Sequence, residues 1–130
     1  MAKMSVGETI DLLPEELRAP LRGVLEEDDS ILEIVAGVGA TLILTDERLV
    51  MIRDGAAFRP RSGVRTWDLI DGPTIRPGTL QHGTGRLLIE GHGRPASVFV
   101  TEANWPTARL LMEGIHRRVH LLTRPSVDPA

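Results

Sequence analysis

The chain has no cysteine, no tyrosine, a single lysine (Lys3) and no long uninterrupted apolar run. Without cysteine there can be no disulfide, thiolate nucleophile or Cys-ligated zinc, and a cytoplasmic setting is expected. No stretch approaches the ~20 apolar residues that a helix needs to cross a bilayer, so membrane contact is expected to be peripheral. No charged-then-apolar leader opens the chain, and a secretory signal is not expected. Aromatic side chains are reduced to Trp67, Trp105, Phe58 and Phe99. The core must therefore be built from Leu, Ile and Val, and the ring platforms on which many single-stranded nucleic-acid binders stack bases are scarce. A net charge of -3 also argues against a nucleic-acid partner, because phosphate binding draws on a basic surface. Catalytic signatures are missing as well: there is no phosphate-binding glycine loop with its lysine, no Gly-x-Ser-x-Gly and no His-Glu-x-x-His. Neither enzymatic activity nor a cofactor is expected.

What is present describes one ordinary domain. The 130 residues are 42% hydrophobic and 25% charged, close to soluble globular proteins. The chain divides into a helical extension over 1–25, a domain over 26–123 and a tail over 124–130. In the extension, Leu13, Leu17, Leu21 and Val24 recur at helical spacing, with Pro14, Glu15 and Glu16 at the start; Pro20 predicts a break after residue 19. A charged stretch, Glu26 to Asp29, reads as a solvated lead into the first strand.

The stretch GATLILTDERLVMIR, from Gly39 to Arg53, organises the rest. Two aliphatic, β-branched runs flank Thr45-Asp46-Glu47, in which Asp46 can bond its own backbone two residues on; this is a β-hairpin pattern. Ile31 to Ala36 precedes it as a further strand, and short connections make the three an antiparallel meander. Beyond a loop over 56–63, Val64 to Ile70 reads as a strand with Trp67 and Leu69 facing inward. A short strand near Thr74 and a hairpin across 91–95 follow. The last element is a helix from about Asn104, its N-cap, to Leu122, with Ala108, Leu111, Met112, Ile115, Val119 and Leu122 on one face.

Gly39 to Ile52 resembles the G-x-L-x-L-T-x-x-R-L-x-x-I pattern of the bacterial pleckstrin-homology-like and GRAM-type families, with the alternate apolar positions falling at Thr41, Ile43 and Leu44. The Trp67-Asp68-Leu69-Ile70 stretch, the late hairpin and the closing helix are similar in order, so the resemblance spans about Leu25 to Leu122. It implies a mainly β (α+β) fold: a partly open barrel of about seven antiparallel strands with a C-terminal capping helix, here with an extra N-terminal helix. It also implies a non-catalytic adaptor or scaffold module for proteins, peptides or lipids. In the phosphoinositide-binding relatives basic residues line the loop between the first two strands, whereas this chain has Gly37-Val38-Gly39 there.

Two partner classes follow. The expected one is another protein, or a second copy pairing through free sheet edges. The other is an anionic lipid surface, met by Arg53, Arg59, Arg61 and Arg65 around the 56–63 loop with Phe58 inserted; a solvated loop is the plain reading of the same residues. Glu113, His116 and His120 share one helix flank at a spacing that a metal could use, but Arg109 and Arg117 lie on either side of Glu113 and oppose a cation, so no metal is expected.

Overall fold

Residues 15–22, 25, 29–54, 63–79 and 81–123 are described by the structure, a computed structural model of the chain. Within them lie a helix α1 (Glu15–Arg22), seven strands and a long helix α2 (Trp105–Thr123). The strands are β1 (Ile31–Ala36), β2 (Ala40–Thr45), β3 (Arg48–Arg53), β4 (Val64–Asp68), β5 (Thr74–Pro77), β6 (Thr84–Glu90) and β7 (Ala96–Thr101). They form two antiparallel sheets in meander order, β1-β2-β3-β4 and β5-β6-β7. The barrel implied by the resemblance is thus two open sheets. They meet at one corner, where the Val38 N–H donates to Phe99 O at 2.7 Å. Gly39, at φ +79, supplies the left-handed residue that turns the chain between β1 and β2 there.

The aliphatic runs of β2 and β3 are explained by burial on both faces. Leu42, Leu44, Leu49 and Met51 point into the main core with Trp67, Leu87, Val98 and Ile115. On the opposite face Ile43, Val50 and Ile52 form a second cluster with Leu21, against which Leu17 packs. Most of the expected 1–25 extension lies outside the described residues. In the part described, α1 continues through Pro20 to Arg22, and Leu25 N–H donates to Leu21 O at 2.9 Å. Pro20 has no N–H to donate to Glu16 O, yet the helix runs two residues past it rather than stopping at residue 19.

The motif residues of the hairpin are structural. Thr45 is fully buried, and its hydroxyl accepts from Glu47 N–H (3.2 Å) and Arg48 N–H (2.9 Å) while donating to Arg48 O (3.2 Å). Asp46 does not bond within its own turn; its Oδ1 accepts from Ser30 N–H at 3.0 Å and its own N–H donates to Ser30 O. Arg48 lies 3.4 Å from Asp29, which is buried, so at least this residue of the 26–29 stretch is not a solvated surface charge. Replacing Thr45 by Val keeps the shape and removes the hydroxyl from two turn N–H groups. A loss of about 1–3 kcal/mol in urea denaturation is expected, with an unchanged slope.

The strand expected over 64–70 ends at Asp68; Leu69–Asp71 is a single 3-10 turn, closed by Gly72 at φ 71. Asn104 lies in a second such turn and does not cap α2. Its Nδ2 donates instead to Ala36 O at 3.1 Å, which ties the helix start to β1. Trp105, Ala108, Leu111, Met112 and Ile115 are buried, whereas Leu122, expected on the same face, is 39% exposed.

Candidate functional site

The arginines flanking 56–63 begin from two paired strands. Arg53 closes β3 and is exposed, and its N–H donates to Gly63 O at 2.7 Å. Met51 pairs with Arg65, so Arg53 and Arg65 share one face of the sheet. Phe58, Arg59 and Arg61 lie outside the described residues. Arg65 is engaged within the protein: its guanidinium lies 4.8 Å from the Trp67 ring centroid, and Nη2 donates to His92 O at 3.1 Å. The carbonyl bond ties the first sheet to the β6–β7 connection, while the cation–π contact is made between neighbours on one face of β4. This leaves less of the Arg65 fork for an external anion.

A different surface brings polar and apolar groups together. On β5, β6 and β7 the side chains of Ile75, Leu87, Ile89, Val98 and Val100 turn inward, so Arg76, Arg86, Leu88 and Phe99 turn outward. Arg86 stands directly opposite Phe99 on the neighbouring strand. These residues line an open groove of about 620 Å³, with Gln81 and His82 from the β5–β6 turn along its rim. His82 adopts φ 54, which tightens that turn. Phe99 is 50% exposed, and Val38, bridged to it across the corner, is 58% exposed. Arg76 is ion-paired with Glu90, whereas Arg86 has no ion-pair partner among the described residues. The groove thus offers a ring, an aliphatic neighbour and a guanidinium on a rigid sheet face. Sequence reasoning passed over it, although a signal exists in Ser97-Val98-Phe99-Val100, where strict alternation puts Phe99 on the side of Ser97.

No group of three His, Asp or Glu residues able to hold a metal occurs among the described residues. Of the helix flank considered for one, His116 is engaged: its Nε2 lies 3.2 Å from Ile75 O, which can only accept, so Nε2 carries the proton. No helix among the described residues is long and apolar enough to cross a membrane.

No family model matches the chain, and no curated protein matches it. Among solved structures it is similar to the crystal structure of a pleckstrin homology domain from Shewanella amazonensis SB2B. The match has a TM-score of 0.51 at 15% identity and covers 81% of this chain and 96% of that one. At that identity the likeness shows the fold: two antiparallel sheets and a closing helix arranged as in a pleckstrin homology domain.

Proposed function

We propose that this protein is a non-catalytic adaptor module, cytoplasmic in setting, whose ligand is another protein seated on the outer face of the second sheet. The observation that carries the reading is the half-exposed Phe99 beside Val38 with Arg86 opposite. An aromatic anchor with an adjacent arginine is the composition enriched at the centres of protein interfaces. Arg86, with no ion-pair partner among the described residues, favours a partner that presents a carboxylate next to an apolar side chain. The pleckstrin-homology-like fold, commonly a binding scaffold, supports the same reading.

The test is photo-crosslinking in cells with a benzophenone amino acid at position 99, and at the exposed Leu110 of α2 as a control. A discrete protein adduct is expected from position 99, weakened by Arg86→Glu, and none from position 110. Adducts with the protein's own chain would make the partner a second copy. The competing reading, an anionic surface met by Arg53, Phe58, Arg59, Arg61 and Arg65, is tested in parallel by flotation with phosphatidylserine vesicles at low salt. Flotation that Arg59→Ala and Arg61→Ala abolish, with no adduct at position 99, would replace the protein-binding proposal by a lipid-binding one.

A further inference from the structure

Two open sheets have four edges, and three carry a bond that uses up part of the edge. Ala36 O on β1 accepts from Asn104, Phe99 O on β7 accepts from Val38 N–H, and Ile75 O on β5 accepts from His116. The fourth edge, β4, has no such cover among the described residues. Bonds at both ends of its ladder, Leu69 N–H to Glu47 O and Arg53 N–H to Gly63 O, fix which backbone groups face β3. In an antiparallel ladder the bonded pairs recur at every second residue, so Arg65 and Trp67 spend their N–H and C=O groups on β3. Thr66 and Asp68 point theirs outward, and both residues are exposed.

This edge opens onto a small cavity of about 110 Å³, lined also by Trp67, Asp71, Pro73, Gly91 and His92. Trp67 is 5% exposed, and its indole N–H is buried with no hydrogen-bond acceptor among the described residues. A Cβ placed on Gly91 would lie 2.9 Å from Trp67 Cδ1 and 3.5 Å from Nε1. The N–H edge of the ring therefore faces Gly91 and the cavity, while Arg65 stacked on the ring holds it in place. Buried indole donors ordinarily have a partner.

We infer that the free edge of β4 docks an extended peptide segment of a partner protein as an added strand. Its backbone pairs with Thr66 and Asp68, and one of its side chains supplies the oxygen that Trp67 lacks. Backbone groups exposed at alternate residues are what a docking strand uses, and side-chain pockets at the same period select its sequence. With a water's share of the liquid at about 30 Å³, the cavity holds the equivalent of three or four waters, the size of a Thr or Asn side chain. Asp68 and Asp71 are exposed at its mouth, so the acceptor is a neutral Asn, Gln, Ser or Thr and a flanking residue is basic. The inference rests on the protein-binding reading for the kind of ligand, but it places this contact on a different sheet.

The probe is a phage library of random heptapeptides selected on the immobilised full chain, with enriched peptides resynthesised and their Kd measured. Thr66→Pro removes an N–H that β3 does not use, at an edge position where proline is tolerated. Affinity is expected to fall about tenfold or more in Thr66→Pro and less steeply in Trp67→Phe, and to be unchanged in Phe99→Ser. In the wild-type protein the selected peptide should slow hydrogen exchange at the Thr66 and Asp68 amides and shift the Trp67 indole resonance. The exchange measurement decides the matter if Thr66→Pro does not fold. An absence of enriched peptides, binders indifferent to Thr66→Pro, or unprotected Thr66 and Asp68 amides would overturn the inference. Binding lost in Phe99→Ser alone would overturn it while supporting the groove on the other sheet.

Discussion

Ile115→Asp is expected to leave no cooperatively folded protein. Ile115 is completely buried in the main core, midway along the face of α2 that covers both sheets. A carboxylate there would lose its water with no cation placed to receive it, and the isoleucine's own packing would be lost as well. The combined cost, about 4 kcal/mol or more, approaches the lower end of the ~5–15 kcal/mol by which a small domain is stable. Leu110→Asp is the control, because Leu110 is 53% exposed on the other side of the same helix. Its effect should stay within about 0.5 kcal/mol. Circular dichroism melts of the two proteins give the answer. A parental melt for Ile115→Asp would mean that α2 is not docked on the sheets.

Gly85→Val should be the second most damaging substitution, by the opposite route of crowding. Gly85, on β6, lies beneath Trp105: a Cβ added there would stand 2.4 Å from Cζ3 and 2.8 Å from Cη2 of the indole. The ring is 8% exposed and opens α2, so it cannot swing away without lifting the helix from the core. Overpacking of this kind costs typically about 1–3 kcal/mol, and the two further methyl groups of valine place the expected loss at the upper end or beyond. Near-ultraviolet circular dichroism would show the disturbed tryptophan directly. Gly85→Val combined with Trp105→Leu should recover part of the stability, since the clash is with the ring. A double variant no better than Gly85→Val would place the strain elsewhere.

The hairpin was the most legible part of the sequence. Its aliphatic runs are strands, and the turn between them is Asp46-Glu47, with Thr45 closing the first strand. The bonding inside that turn was not legible: Thr45 rather than Asp46 braces it, because Asp46 is drawn to Ser30, which the sheet register brings alongside. Val64 to Ile70 read as one strand because its alternation continues through Leu69, yet the chain coils after Asp68 and leaves Ile70 63% exposed. Asn104 has the composition of a helix cap, and only the fold shows that its amide is oriented by an Nδ2–H bond to Ala36 O. For the candidate surfaces the pattern is similar. Alternation alone could have placed Phe99 on an outer face, but that Arg86 opposes it, that Trp67 lacks an acceptor and that β4 is an open edge depend on which strands pair. Pairing between distant segments is not written in local periodicity.

Phe99 belongs to two structures at once. Its ring forms part of the floor of the outer groove, while its carbonyl receives the Val38 N–H and so closes the corner between the sheets. Whatever rests on the ring therefore loads the residue that tethers the 37–39 turn. Motions of that turn and occupancy of the groove share a single backbone unit. Ordering of the one is therefore expected to leave less conformational entropy to be lost by the other, and slower hydrogen exchange of the Val38 amide when the groove is occupied would show it.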